Sequence, residues 1–434
     1  MTACIWMGIQ LYWGGQAIQI ILGSIIGPKF IFLSNTLPES AHVTTVSLIS
    51  FFIFVILFLP ILMIRPEHLQ TPLRVSFVMI CGTVVGMMIW AVSQAGGAGT
   101  LVGQGPTGKG AELRWNTVYG LQSIVGGYGS GILGQSDWTR YSSRPRSSLF
   151  GQLFTCPLTI TLTALCGLLI TSATSTLYDG EYLWNPFLLL LYIQQRPGFS
   201  SSASARAGTF FAGFGLLFSQ LALCIVLNGM SCGMDLAALC SRYINIRRGT
   251  YICTIIAVAI CPWQYVTQAS VFITVLSGWS VFLSPMTGIL LSDYFVVRAC
   301  RLRVSDLYLG VDPAGAYWYT LGFNWRAFIA WTTGLWPLLP GFVRQIKRST
   351  TPDQWTNVPH NGWERLYDLS YFFGILVAAG LYAALSLAFN PKDMRGESAF
   401  ELKRHLLVVG KGGVVEAQRE VEENEKREGG VESA

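Results

Sequence analysis

Ten stretches of this chain are apolar enough and long enough to cross a lipid bilayer. No other feature narrows the possible folds so far. About 20 residues of helix span the hydrocarbon core. Runs of that kind fall at about 3–27, 43–64, 73–95, 118–136, 149–172, 208–238, 249–266, 269–297, 322–344 and 367–389. One of them, TTVSLISFFIFVILFLPILMI (44–64), carries no charge. Of the 434 residues, 52% are hydrophobic and 12% charged, against about 25% charged in a soluble domain. The expected class is therefore an all-α, multi-pass integral membrane protein. The first run is not expected to be a cleavable signal: it is too long, has no basic flank and contains Trp6, Gln10 and Trp13.

The net charge of +6 divides unevenly. Residues 391–434 hold eight Lys/Arg and ten Asp/Glu, which leaves +8 on residues 1–390. The latter form the expected membrane domain and the former a charged, disordered tail. Basic residues mark cytoplasmic loops. Loops with Arg140, Arg144 and Arg146, with Arg242, Arg247 and Arg248, and with Arg298, Arg301 and Arg303 are each separated by two crossings. They share one side with Arg65, Arg74 and Arg326, giving twelve basic residues there against nine opposite. The first segment should run outward, and the tail should be cytoplasmic.

Enzyme chemistry has little footing. The four histidines (His42, His68, His360, His405) are scattered, and there is no H-E-x-x-H. The ten cysteines sit mostly in apolar runs and form no C-x-x-C pair, which speaks for packing rather than a metal site or a disulfide framework. Nothing suggests a nucleic-acid partner. The run GSGILG (129–134) matches G-x-G-x-x-G, but a dinucleotide loop needs a strand before it and a βαβ setting around it. Here it lies in an apolar segment. Gly126, Gly127, Gly129, Gly131 and Gly134 either let helices approach closely or mark a locally unwound helix beside a cavity.

Several runs resemble the nucleobase–cation symporter family 1, in its fungal branch of uracil, allantoin, uridine, nicotinamide riboside and thiamine permeases. They are CIWMGIQLYWGGQ (4–16), SDWTRYSSRPRSS (136–148), LWNPFLLL (183–190), DLAALCSRYINIRRGTYIC (235–253), VFLSPMTGILLSDYFVVR (281–298) and YWYTLGFNWRA (317–327). The resemblance covers about residues 1–390. It implies a five-plus-five inverted-repeat transporter of twelve helices, of which the ten segments match helices three to twelve. On this expectation the family's first two helices are missing.

The resemblance also implies a site. Trp6 and Gln10 match the W-x-x-x-Q of family helix three, an aromatic that stacks on the substrate and an amide that bonds it. Four residues apart, they share one helical face, and a π face beside a donor–acceptor amide suits a flat heterocycle. Tyr128 matches a second aromatic on helix six. Uracil-type members carry A-T-L-x-V-N-A-P-D-F there, where this chain has GSGILGQSDW (129–138). Asn228 matches a substrate-bonding asparagine of helix eight. Asp235 and Arg144 match an acid–base pair that closes the cytoplasmic side, and Leu283 and Ser284 match gate positions on helix ten. Asp293 is expected to cap the end of its segment.

Met234 replaces a second asparagine that many members carry, and Leu223 offers no side-chain oxygen in a neighbourhood that lends oxygen ligands to the cation in sodium-coupled relatives, so the resemblance disfavours sodium and makes a proton the expected coupling ion, with no cofactor and no metal. The expected function is non-enzymatic: plasma-membrane proton symport of a small heterocycle such as uracil or allantoin. The alternatives are a thiamine or nucleoside carrier and a truncated, non-transporting paralogue or incomplete gene model.

Overall fold

The structure, a computed structural model, describes residues 2–64, 68–105, 108–139, 147–240, 242–266, 269–303, 317–355, 358–389 and 397–398. Its main elements are helices α1 (Thr2–Ile26), α2 (Thr45–Ile61), α3 (Gln70–Ala95), α4 (Ala111–Leu133), α5 (Cys156–Leu177), α6 (Pro186–Gln195), α7 (Ala203–Leu223), α8 (Ser231–Leu239), α9 (Ile246–Ala259), α10 (Ala269–Ser292), α11 (Trp325–Leu335), α12 (Leu339–Thr350), α13 (Gly362–Asp368) and α14 (Ser370–Ala388). Wide π-helical turns precede α5 (Gly151–Thr155), join α7 to α8 (Cys224–Met230) and follow α10 (Asp293–Val297). Extended pairing among the described residues amounts to Arg301–Leu302 against Glu397–Ser398 and a bridge between Thr320 and Phe323.

All ten predicted segments fall on helices. Seven helical stretches among the described residues are long and apolar enough to cross a membrane: Thr2–Ile26, Glu39–Ile61, Gln70–Ala95, Ser148–Leu177, Ala203–Leu239, Ser277–Val297 and Ser370–Ala388. The other three segments fall short for local reasons. Helix α4 opens with Glu112, Arg114 and Asn116. Helix α9 is 14 residues long and stops before Pro262, with Cys261 in the left-handed region. Between α11 and α12 the chain tightens into a 3-10 turn at Trp336–Leu338, where Pro337 removes a helical N–H. The short apolar helix α6 was not foreseen as an element; Asn185 caps it by accepting from the Phe187 N–H at 2.9 Å. Ser202, Asn245, Asn324 and Asn361 cap α7, α9, α11 and α13 in the same manner. Each satisfies an N–H that a helix start leaves unpaired.

The chain forms two compact units, Met1–Leu113 with Gly134–Val275, and Arg114–Leu133 with Leu276–Ala434. In the first, α1 is central and packs against α7, α2 and α9. Of its apolar window 67% is buried, against 6% in Ser148–Leu177, so α1 meets protein on most sides. Small residues permit this: a Cβ on Gly15 would lie 2.6 Å from the Phe51 Cα. Ala17, Ile20, Met87, Ala91, Phe187 and Leu190 belong to the apolar core of this unit. In the second unit Val281, Leu335, Leu338 and Tyr367 form the core.

Candidate functional site

Trp6 and Gln10 project from one face of α1, as their spacing predicts. Gln10 is 8% exposed, and its Oε1 is buried without a hydrogen-bond partner. Trp6 is half-buried. An unmade bond to a buried polar group costs about 1–3 kcal/mol, so such an acceptor is expected to meet a donor in use. Three further amides that the sequence reading passed over repeat the pattern: Gln16 on α1, Gln220 on α7 and, in the second unit, Gln122 on α4 are buried, each with an unpartnered Oε1. Lone glutamines in apolar runs were the available signal.

Asn228 is 5% exposed and lies in the wide turn Cys224–Met230. No side-chain hydrogen bond engages its amide among the described residues. The turn is held from two sides. The Thr250 hydroxyl of α9 donates to the Gly229 carbonyl at 3.1 Å. The Met7 methyl of α1 lies 3.7 Å from where a Gly229 Cβ would sit. Trp6, Gln10 and Asn228 thus belong to one unit, on α1 and on a turn that α1 contacts. Asp235 belongs to the same unit and is exposed on α8. Arg144, its expected partner, lies outside the described residues.

Tyr128 belongs to the second unit and is 51% exposed. Helix α4 is continuous from Ala111 to Leu133, and the chain turns only at Gly134. The glycine run is therefore helix and not an unwound segment. A Cβ on Gly129 would lie 3.1 Å from Leu283 Cδ1, whereas Gly131 faces open space. Close packing thus operates at Gly129, and it sets Leu283 of α10 beside the residue that follows Tyr128. Ser284 is buried and donates to the Ser370 carbonyl at 3.2 Å, a bond between α10 and α14.

The second unit also holds buried polar networks that the sequence reading missed or misassigned. Gln122 on α4 donates to the Ser277 carbonyl at 3.1 Å and to the hydroxyls of Ser280 and Ser370. Ser277 bonds the Tyr367 hydroxyl at 2.7 Å. Asp293 does not act as a simple helix cap. It opens the π turn after α10 and accepts from Arg298 Nε at 2.5 Å and from the Tyr382 hydroxyl at 2.7 Å. Arg298, 1% exposed, also donates to Tyr319 at 2.9 Å and stacks 4.5 Å from the Tyr317 ring centroid. The motif SDYFVVR thus supplies both ends of an ionic cluster.

Another cluster surrounds Glu364 on α13. Its carboxylate accepts from Arg348 Nε at 2.6 Å and from the Asn361 backbone N–H at 2.8 Å, and Arg344 stands 3.3 Å away. Burial alone would raise its pKa, but the Arg348 bond, the Asn361 bond and the charges of Arg348 and Arg344 hold it below the ordinary value.

The family model described as permease for cytosine/purines, uracil, thiamine and allantoin matches residues 1–374. The chain is 36% identical over 418 residues to Transporter aclS of Aspergillus oryzae, covering 88% of this chain and 66% of that protein. It is 32% identical over 397 residues to the allantoin permease of Saccharomyces cerevisiae, covering 90% and 60% respectively. The uracil permease of the same yeast is 31% identical over 397 residues, with the same coverage of 90% and 60%. The chain thus spans between 56% and 66% of the length of these first relatives. Among solved structures, Mhp1, a nucleobase-cation-symport-1 family transporter in a closed conformation with bromovinylhydantoin bound, matches with a TM-score of 0.63 at 18% identity. That match covers 90% of this chain and 75% of Mhp1. At that identity the likeness establishes the fold, an all-α membrane transporter fold.

Proposed function

This chain belongs to the family of permeases for cytosine/purines, uracil, thiamine and allantoin, and from that premise we propose that it imports a nucleobase or related heterocycle, such as uracil or allantoin, by alternating access. The observation that carries the reading is the buried, unpartnered Oε1 of Gln10 on the face it shares with Trp6. A planar ring stacked on Trp6 would present an edge N–H to that oxygen. The Asn228 amide, a donor and an acceptor at once, complements an imide or ureide edge. Tyr128 supplies a second stacking surface. Asp235 with Arg144, and Leu283 with Ser284, act as gates, and no covalent step is involved.

The coupling ion on this reading is the proton. Leu223 supports that choice, because it offers no side-chain oxygen where a sodium ion would need one. Residues 1–390 form the transport domain in the plasma membrane, and residues 391–434 a cytoplasmic tail. Of that tail, only Glu397–Ser398 falls within the described residues.

The test is uptake of radiolabelled uracil, allantoin, uridine and thiamine by cells that lack their own carriers and express this gene, with and without a protonophore. Saturable, protonophore-sensitive uptake of one of the first two is expected. Asn228→Ala should weaken it about three- to tenfold, the equivalent of one lost neutral hydrogen bond. Uptake confined to thiamine or uridine would shift the substrate class. Unchanged affinity in Asn228→Ala at normal surface expression would remove that residue from the site.

A further inference from the structure

Three cysteines far apart in the sequence meet inside the first unit. Cys4 of α1, Cys232 of α8 and Cys253 of α9 place their Sγ atoms within 4.8 Å of one another. Cys4 and Cys232, 228 residues apart, are 3.9 Å apart at sulfur. All three side chains are buried, at 7%, 5% and 0% exposure, and all are free thiols. We propose that Cys4, Cys232 and Cys253 form a buried three-sulfur site for a soft d10 cation, zinc or monovalent copper.

The geometry is close to what such an ion requires. A metal–thiolate bond of about 2.3 Å sets neighbouring sulfurs about 3.8–4.0 Å apart in tetrahedral or trigonal coordination, and the Cys4–Cys232 pair already has that separation. The scaffold is held by backbone contact rather than by the cysteines themselves. A Cβ on Gly249 would lie 2.9 Å from the Gly233 Cα, so α8 and α9 touch where Cys232 and Cys253 leave them. Met7, fully buried one turn beyond Cys4, offers a thioether on the same face of α1. Sulfur ligands of this kind select soft metals over magnesium or calcium.

A divalent ion would bind three thiolates and release three protons, leaving one net negative charge on the site. Monovalent copper reaches the same charge with two thiolates and one thiol. The C-x-x-C test applied to the sequence could not find the site, because each sulfur comes from a different helix. Its consequence rests on the proposed function: Cys4 lies two residues before Trp6, and Cys232 four residues after Asn228. An ion here would therefore pin together the helices that carry the substrate groups and should block transport.

Binding can be measured without any transport assay. The full chain, with its other seven cysteines changed to serine, is purified in detergent and titrated with chelator-buffered Zn²⁺, with Cu⁺ under reductant, and with Cd²⁺ as a spectroscopic probe. One equivalent per chain, with the thiolate–cadmium charge-transfer band, is expected, together with a metal-dependent rise in melting temperature. The stronger of zinc and copper identifies the ion the site prefers. Cys4→Ser, Cys232→Ser or Cys253→Ser should each weaken binding more than about 100-fold, since even outer-shell partners cost 10–100-fold. Restoring Cys224, equally buried but outside the trio, in this seven-serine parent should leave the stoichiometry at one equivalent. Each variant's metal-free melting temperature shows that it folds, and a folded variant that keeps the equivalent overturns the site. So does the absence of a tight equivalent in the parent, or the formation of only a Cys4–Cys232 disulfide in air. If metal binds and uptake is undisturbed, the site stands and its link to transport falls.

Discussion

The buried amides beside α1 and the buried charges of the second unit are treated in opposite ways, although Gln122 of the second unit also leaves its Oε1 unpartnered. In the first unit, Gln10, Gln16 and Gln220 each leave an amide oxygen unpaired beside or against the central helix α1. In the second, the charged groups Asp293, Arg298 and Glu364 are enclosed by partners. A saturated cluster has nothing left to offer a ligand and serves to fix the chain around it. An unsaturated one carries a standing cost and becomes useful when something else completes it. On that contrast, substitutions in the second unit should cost stability, and those near α1 should cost recognition.

The strongest way to break the comparison is Arg298→Ala. It leaves Asp293, whose side chain is 21% exposed, with the Tyr382 bond alone and removes the Tyr319 bond, a loss at the lower end of the about 3–5 kcal/mol that breaking a buried ion pair costs. The melting temperature in detergent should fall by many degrees. A near-parental melt would show that the cluster does not hold the fold. Glu364→Gln comes next, at about 1.5–3 kcal/mol for hydrogen bonds to a charged group. Because the folded pKa of Glu364 is depressed, its contribution is present above the unfolded value of about 4.3 and is lost as pH falls through the lower folded value. The parent should therefore lose melting temperature on acidification through that window, and the Gln variant should lose less. Equal acid limbs would assign the pH dependence elsewhere.

The smallest effect on stability should come from Gln10→Leu. It removes an acceptor that has no partner, so the melt should stay within about 1 kcal/mol of the parent in either direction. Heterocycle affinity, read by competition, should still fall about three- to tenfold. A large loss of stability with intact affinity would reverse the roles of the two regions.

The helices were legible because apolar length is a local property: each residue of 44–64 reports its own transfer cost. Trp6 and Gln10 were legible as a pair because helical phase turns a spacing of four into a shared face. The Asp293–Arg298 cluster was half legible. Its two ends lie five residues apart, but Tyr319 and Tyr382 complete it from distant segments. The trio of Cys4, Cys232 and Cys253 was not legible at all, since only tertiary packing puts three helices against one another. The glycine run allowed two readings because close packing and unwinding ask for the same residue; the unbroken α4 and the Gly129–Leu283 approach separate them.

The wide turn at Cys224–Met230 makes the orientation of Asn228 a matter of residue count. A π turn accommodates about one residue more than an α turn, so the chain after it is out of phase with α7. Removing a single residue, such as Val226, would let the helix close to regular geometry while Cys232 and the residues beyond keep about their present phase. The residue is lost from the wide turn itself, so Asn228, which that turn presents, is the group whose setting changes. A one-codon deletion at this point is therefore a local lesion at Asn228 rather than a rotation of the helix that follows.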